Sequence, residues 1–295
     1  MNRVMRTLPA ILASLALLAL AACSSTQLVY DNGATLMRWR ATSYLDVHGV
    51  QAKDLEQRIE RFLAWHRATA LPQYAQLAER CARRVEHGLR RADLEWGYDA
   101  FRTQLDESLR VAAREIAPLM DSLTPEQIAH LEQRIAEDNR EFAEDHLDGD
   151  DAARRRRRME RNVTRLEEWF GPLSAAQRAA VHRYSETAPP TGALRASDRV
   201  RRQAALLEIL RAHAAQRRLA DWAAGWDQGR APAYAAASRG QREAYYDMLL
   251  AIDRTLSPGQ RATAAARFRR FAEEFQLLAK AGSADARARN EPVKQ

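Results

Sequence analysis

Five consecutive arginines, Arg154 to Arg158, form the densest block of charge in the sequence. Guanidinium groups bind phosphates and other oxyanions, so the run is a candidate surface for an anionic ligand. Consecutive residues of a helix point in all directions, however, and the run alone predicts no single pocket. If the helices on either side of Gly149 pair antiparallel, the arginines lie beside an acidic stretch. Internal charge pairing and an anionic-ligand surface therefore both remain open. The acidic stretch comprises Glu137, Asp138, Glu141, Glu144, Asp145, Asp148, Asp150 and Asp151.

Two tryptophans, Trp222 and Trp226, are spaced four residues apart. In one helix this spacing places both indoles on the same face. The pair then either lines a possible groove for a ligand or packs between helices, because aromatic side chains serve both purposes.

Residue patterns that mark catalytic and metal sites do not occur in the sequence. None of the seven histidines lies four residues from another, and there is no Cys-x-x-Cys, Gly-x-Ser-x-Gly or phosphate-binding glycine loop. Glu107-Ser108 resembles the catalytic pair of lytic transglycosylases, but the other motifs of that family do not occur here. We therefore predict no catalytic residue, no metal, no cofactor and no enzyme activity. An enzyme acting on peptidoglycan or lipid is the alternative.

The N-terminus has the layout of an export signal. Arg3 and Arg6 precede an apolar run from Leu8 to Ala22, which is shorter than the ~20 residues that cross a bilayer. The run ends in Leu20-Ala21-Ala22-Cys23, which resembles the bacterial lipobox. The resemblance implies cleavage before Cys23, a diacylglycerol thioether on its sulfur and an acyl chain on its amino group. A secretory signal with an unrelated cysteine is the alternative.

Ser24, the residue after the lipidated position, implies sorting to the outer membrane, since an aspartate there retains enteric lipoproteins in the inner membrane. Residues 1–22 are thus the signal peptide, and 23–30 are the lipidated N-terminus with a short spacer. Removing Arg3 and Arg6 lowers the formal charge from +7 to +5. Cys81, the one cysteine left in the folded part, is either buried in a helix or bridges two chains.

The expected partners follow from export. They are the membrane, an envelope protein or unfolded client, and lipopolysaccharide or peptidoglycan. Nucleic acid is excluded, because an exported chain does not meet it.

Composition and periodicity indicate helices. Gly (12) and Pro (10) are few for 295 residues, and the helix formers Ala, Leu, Arg, Glu and Gln far outnumber the β-branched residues typical of strands. Apolar residues recur at spacings of three and four along the chain. We predict an all-α fold, a bundle or curved array of about eight to ten amphipathic helices.

One clear break, Ala188 to Gly192, interrupts the helical pattern with two prolines and a glycine. We place a boundary there, between a helical subdomain over 31–187 and a second over 193–281 that packs on the first. The polar segment 282–295 is predicted to be a disordered tail.

Four local predictions concern single helices. Leu71-Pro72 kinks or restarts a helix, Asp93 is the N-cap of the next long one, and one helix runs from Ser197 to Trp226. The first helix, over 32–47, places four residues on its apolar side: Leu36, Met37, Trp39 and Tyr44.

Three helix starts share one pattern, a leucine, then serine or threonine, then glutamine three residues later. The hydroxyl caps the helix, and the glutamine reaches back to the capping residue's amide. The pattern also resembles the LTxxQ motif of the Spy and CpxP family of periplasmic stress proteins, which implies a cradle-shaped helical chaperone. The three segments are Leu123–Gln127, Leu173–Gln177 and Leu256–Gln260.

The mature chain as a whole resembles an uncharacterised family of proteobacterial helical lipoproteins, a domain of unknown function. The resemblance implies an all-α fold in the cell envelope and supplies no catalytic residues. It rests on Leu28-Val29-Tyr30-Asp31-Asn32, Ala64-Trp65-His66-Arg67, Leu71-Pro72-Gln73-Tyr74, Leu123–Gln127 with Asn139 and Phe142, and Leu147-Asp148-Gly149.

We therefore expect a lipid-anchored protein on the periplasmic face of the outer membrane. Its expected function is that of a non-enzymatic binding or scaffolding module. A Spy- or CpxP-like chaperone is the alternative.

Overall fold

The computed structural model describes residues 32–290, with side chains from 32 to 281. In this part of the chain all regular structure is helical, which confirms the all-α prediction. Ten helices result when α2, the π turn and α3 are counted as one, within the predicted range. The elements are α1 (Gly33–Leu45), α2 (Gly49–Trp65), a π turn (His66–Ala70), α3 (Leu71–Glu86), α4 (Arg91–Asp121), α5 (Pro125–Leu147), α6 (Asp151–Phe170), α7 (Ala175–Thr187), α8 (Gly192–Arg211), α9 (Ala215–Ala224), α10 (Pro232–Asp253) and α11 (Pro258–Asn290).

Three helices begin with the predicted capping box. At the start of α5, the Thr124 hydroxyl accepts a hydrogen bond from the Gln127 amide, and the Gln127 side-chain oxygen accepts one from the Thr124 amide at 3.0 Å. Ser174 opens α7 and Ser257 opens α11 through the same exchange with the glutamine three residues on.

Asp93 stabilises the start of α4 from a different position than predicted. The N-cap is Arg90, and the Asp93 carboxylate accepts a hydrogen bond from the Arg90 amide at 3.0 Å. Asp93 is thus the third residue of the helix, the place of the acidic partner in a capping box, and its prediction as N-cap is wrong.

Two of the capping glutamines also bind each other. The Gln177 amide group donates to the Gln260 side-chain oxygen at 2.9 Å and to the Thr255 carbonyl at 3.1 Å. Gln260 donates in return to the Gln177 oxygen at 3.2 Å and to the Pro172 carbonyl at 2.9 Å. Each glutamine therefore caps its own helix and holds the turn before the other helix, an arrangement that we call a glutamine clasp.

A second clasp joins Gln127 to Gln51. Gln127 donates to the Gln51 side-chain oxygen at 2.8 Å and to the Asp46 carbonyl at 2.9 Å, while Gln51 donates to the Gln127 oxygen and the Ser122 carbonyl, each at 3.2 Å. The segment from Val47 to Gln51 therefore acts at the start of α2 as the three leucine–hydroxyl–glutamine segments act at theirs. Its N-cap is His48 instead of serine or threonine.

The predicted kink at Leu71-Pro72 takes the form of a π turn. Pro72 cannot donate a backbone hydrogen bond, and its ring crowds the preceding turn. The chain widens over His66–Ala70, where the Leu71 amide donates to the His66 carbonyl five residues back. The helix then continues past Pro72, so α2, the π turn and α3 follow one another without a break.

The predicted helix from Ser197 to Trp226 is wrong, because the structure divides this segment into α8 and α9. His213 adopts a left-handed conformation with φ of 46°. The end of α4 holds the break: the Asp121 carboxylate accepts hydrogen bonds from the Ala215 amide at 2.6 Å and the Gln216 amide at 3.1 Å. Burial alone would raise the pKa of Asp121, but these hydrogen bonds outweigh it and lower the pKa.

Helices from both sides of residues 188–192 share the same cores. The largest cluster joins α1, α2, α4 and α5 to α8 and α9, and a second joins α6 and α7 to α10. Helix α11 packs along α3. Residues 193–281 therefore have no separate core, and the break is a turn between helices rather than a boundary between two cores.

The last helix extends to Asn290, where a disordered tail was predicted from 282, because this segment is rich in the helix formers Ala and Arg. In α1, three of the four residues assigned to the apolar side, Leu36, Met37 and Trp39, are exposed, whereas Tyr44 is half-buried. The described residues contain no helix that is long and apolar enough to cross a membrane.

Candidate anionic-ligand site

The arginine run lines a wide cleft. The cleft has a volume of about 670 Å³ and lies between the end of α5, residues 151–165 of α6, the end of α7 and the start of α8. This volume is within the range of small-ligand sites. Seven arginines line the cleft: Arg154, Arg155, Arg157, Arg158, Arg161, Arg165 and Arg195.

Helical spacing explains why these side chains converge. Arg154, Arg158, Arg161 and Arg165 follow one another at intervals of four, three and four residues, so they share one face of α6. The end of α5 and the 188–192 turn flank this face of α6, and they also enclose Arg155 and Arg157. The expectation that the run forms no single pocket is therefore wrong. Arg156 alone of the run is exposed and does not line the cleft.

The arginines form few ion pairs with the acidic stretch, which was the other role considered for them. Among the described residues, two arginines of the run form ion pairs, Arg154 with Asp151 and Arg155 with Glu186, the latter at 3.0 Å. The antiparallel pairing that would place the arginines beside the acidic stretch does not occur, because α5 packs against α8 and α1 whereas α6 packs against α7 and α11.

Instead, the arginines hold the turn that joins α5 and α6. Arg154 donates to the carbonyls of Leu147 and Gly149, and Arg157 donates to that of Asp148. Gly149 has φ of 79°, a conformation that favours glycine.

Further along α6, Arg158 donates to the Ala188 carbonyl at 2.9 Å. These carbonyls satisfy donors without cancelling the positive charge. Among the described residues, five cleft arginines have no carboxylate ion-pair partner: Arg157, Arg158, Arg161, Arg165 and Arg195.

The start of α8 adds a second attraction for anions. Its first residues, Gly192 to Leu194, line the cleft, and no acidic residue lies in the first turn. The side chain of the N-cap Thr191 does not cap the helix, and its hydroxyl donates to the Gln241 side-chain oxygen at 3.2 Å. A helix N-terminus of this kind presents free amides and a positive partial charge.

The remaining walls are mixed: aromatic and uncharged residues adjoin three carboxylates, those of Asp145, Asp151 and Glu186. Phe142 and His146 stack with ring centres 4.3 Å apart, and Arg195 lies over Phe142 at 5.1 Å. Tyr184 is buried, and burial raises the pKa of its hydroxyl, although Arg158 partly opposes the rise. Tyr184 therefore stays neutral at physiological pH, and the site combines apolar walls with several guanidinium groups. Guanidinium groups hold their protons, so they bind and orient oxyanions rather than transfer protons.

The other predicted groove does not form. Trp222 is in α9, but this helix ends at Ala224, so Trp226 lies in the following turn and the two do not share a helix face. The Trp222 ring nitrogen donates to the Arg202 carbonyl at 3.0 Å, and the Arg102 guanidinium lies 4.6 Å from the Trp226 ring. Both indoles therefore stack with arginines of neighbouring helices.

The remaining candidates lie apart from the cleft. Glu107 is exposed and Ser108 hydrogen-bonds the Tyr74 hydroxyl at 2.7 Å; neither lines the cleft. Cys81 is half-buried in α3, and Cys23 lies outside the described residues. Among the described side chains, no three His, Cys, Asp or Glu residues lie close enough together to hold a metal ion.

Sequence reasoning identified Arg154 to Arg158 but missed Arg161, Arg165 and Arg195. The spacing of four, three and four from Arg154 to Arg165 was the available signal for the first two. Arg195 comes from another helix, and no local pattern indicates its position.

A model of a family described as "Family of unknown function (DUF6279)" matches residues 43–231. This span includes all seven arginines of the cleft. No curated protein and no solved structure matches the chain.

Proposed function

This chain belongs to the family of unknown function DUF6279, and we propose that it is a lipid-anchored envelope protein whose arginine cleft binds a phosphate-bearing ligand without transforming it. The observation that carries the proposal is the group of five cleft arginines that have no carboxylate partner among the described residues. Seven arginines against three carboxylates leave an excess of positive charge in a concave site, which is costly unless a bound anion offsets it.

Phosphate suits this cleft better than an isolated carboxylate. Two guanidinium forks can each form paired hydrogen bonds with one phosphate, and the amides at the start of α8 offer further donors. The apolar surface of Phe142 suits a ligand with a sugar or acyl part next to its phosphate. Phosphorylated envelope glycolipids such as lipopolysaccharide combine these features.

The membrane anchor is part of the same proposal and rests on the lipobox-like sequence that ends in Cys23. We propose the periplasmic face of the outer membrane as the location. Metabolic labelling with an alkyne-modified palmitate tests the anchor, since the native chain takes up label and Cys23→Ala does not. Unlabelled native protein would overturn the anchor while leaving the cleft proposal to be judged separately.

Binding to purified lipopolysaccharide tests the cleft. Biolayer interferometry compares the native chain with the double variant Arg161→Gln and Arg165→Gln. Both side chains are exposed and neither forms an ion pair with a described residue, so the variant keeps the contacts that shape the fold. Losing charged hydrogen bonds of about 1.5–3 kcal/mol predicts at least about tenfold weaker binding. Added salt and inorganic pyrophosphate are expected to compete.

The double variant Arg140→Gln and Arg156→Gln is the matched control, because it likewise removes two charges from exposed arginines, both outside the cleft. Its binding should equal that of the native chain within about twofold. Equal losses in the control and the cleft double variant would overturn a specific cleft and indicate general attraction between charges. Absence of native binding, or binding unchanged in the cleft double variant, would also overturn the proposal.

A further inference from the structure

Helix α1 carries three large apolar side chains that are exposed. Leu36 is 59% exposed, Met37 41% and Trp39 62%, all within a span of four residues. The other large exposed apolar residues among those described are scattered along the chain, so α1 has the densest group.

The three side chains lie in the first half of the helix, where residues 35–40 are all exposed. At 100° per residue, Trp39, Leu36 and Met37 fall within an arc of about 160°. The last turn attaches α1 to the protein: Leu45 is buried in the largest core, and the Tyr44 hydroxyl donates to Asp138 of α5. Outside contacts of α1 therefore involve its first half, where these apolar side chains lie.

A membrane surface is the partner that position and composition select. Gly33, where α1 begins, is ten residues after Cys23, and an extended chain of this length reaches at most about 36 Å. Tryptophan favours the headgroup level of bilayers, and Arg40, which lies within the same arc, is attracted to anionic headgroups. With 13 residues α1 is too short to span a bilayer, but it can lie along its surface.

We propose that the outer face of α1, comprising Leu36, Met37, Trp39 and Arg40, docks on the phospholipid surface that holds the lipid anchor. The inference rests on the proposed anchor for the proximity of this surface. Docking adds a second, non-covalent attachment, which fixes the orientation of the helical body relative to the membrane instead of leaving it free on a tether.

Vesicle binding by the unlipidated chain separates docking from anchoring. The apolar run from Leu8 to Ala22 would itself bind a bilayer, so the chain begins at Ser24 and keeps every described helix. Vesicles of phosphatidylethanolamine and phosphatidylglycerol serve as the probe in a sedimentation assay. Native protein should bind, and replacing the three apolar residues with Gln should lower the partition coefficient at least about tenfold.

A matched triple variant carries the same change at exposed apolar positions elsewhere: Phe101→Gln, Val200→Gln and Leu277→Gln. This control should bind as the native chain does. Equal losses in the two triple variants, or no binding by native protein, would overturn docking. Neither result affects the anchor, which the labelling of Cys23 tests.

Quenching by brominated lipid gives a position-specific readout. Trp39 in the headgroup region should be quenched, and Trp39→Phe should lose most of the quenching while vesicle binding is retained within about threefold. Unchanged quenching in Trp39→Phe would show that another tryptophan meets the lipid and would overturn the proposed face.

Discussion

Replacing Gln177 with leucine should destabilise the fold far more than a typical glutamine substitution. Gln177 is 0% exposed and its side chain makes four hydrogen bonds. Leucine fills a similar volume but removes the partner of the Ser174 amide and of the Thr255 carbonyl, and it leaves the Gln260 side chain with two of its four hydrogen bonds.

The magnitude follows from these three groups. Each loses a hydrogen bond of about 1 kcal/mol net, and water cannot replace Gln177 at a fully buried position. The expected loss is about 3 kcal/mol in the free energy of unfolding. At about 2–4 °C per kcal/mol for a chain of this size, the melting temperature should fall by about 6–12 °C.

Guanidinium unfolding followed by far-UV circular dichroism measures the effect. Gln133→Leu is the control, because Gln133 is exposed on α5, and its change should stay within about 0.5 kcal/mol. The clasp also predicts coupling: in the double variant with Gln260→Leu, the summed single losses should exceed the observed loss by about 1 kcal/mol. Additive losses, or a Gln177→Leu loss as small as that of the control, would refute the reasoning.

Three further predictions test local features. Because hydrogen bonds lower the pKa of Asp121, its ionised form stabilises the fold above about pH 4, and this contribution is lost as pH falls through the lowered pKa. Asp121→Asn should therefore lower the free energy of unfolding in urea by about 1–2 kcal/mol at pH 7 and by less at pH 3. A loss independent of pH would contradict this. Gly97 lies inside α4 with no atom within 4 Å of an added carbon, so Gly97→Ala should raise the free energy of unfolding by about 1 kcal/mol. Gly171 has φ of 75°, so Gly171→Ala should lower it by about 1–3 kcal/mol. Thermal melts in which both variants shift the same way would contradict these backbone conformations. Burial raises the pKa of the Cys81 thiol, so iodoacetamide at pH 8 should modify the native chain at least about tenfold more slowly than the chain in guanidinium, and equal rates would show an accessible thiol.

Helix starts and ends were the most predictable part of the fold, because they depend on neighbouring residues. The capping boxes at Thr124, Ser174 and Ser257 all follow from local hydrogen bonding. The clasps were not predicted, since a glutamine side chain that caps its own helix gives no local sign of a second partner.

The division between α8 and α9 shows where local reasoning stops. Neither glycine nor proline marks the break at His213, and the stabilising carboxylate, Asp121, is about ninety residues away in sequence. Propensity alone favours one continuous helix here, but the hydrogen bonds from Asp121 and packing against α4 outweigh it.

The cleft was predictable in its residues but not in its shape. The run from Arg154 to Arg158 indicates a local excess of positive charge. The concave shape of the cleft, by contrast, depends on the different directions that α5 and α6 take on either side of Gly149. That divergence is decided by the helices on which each one packs, which no short segment of sequence encodes.

The two glutamine clasps also bear on the order in which the chain can fold. Each clasp closes within one half of the chain, across 76 residues between Gln51 and Gln127 and across 83 between Gln177 and Gln260. Neither needs the other, so the first can form as soon as α5 has been synthesised. The face of α4 that α9 later covers stays open during that interval, and vectorial synthesis thus exposes apolar surface that only the second half can bury.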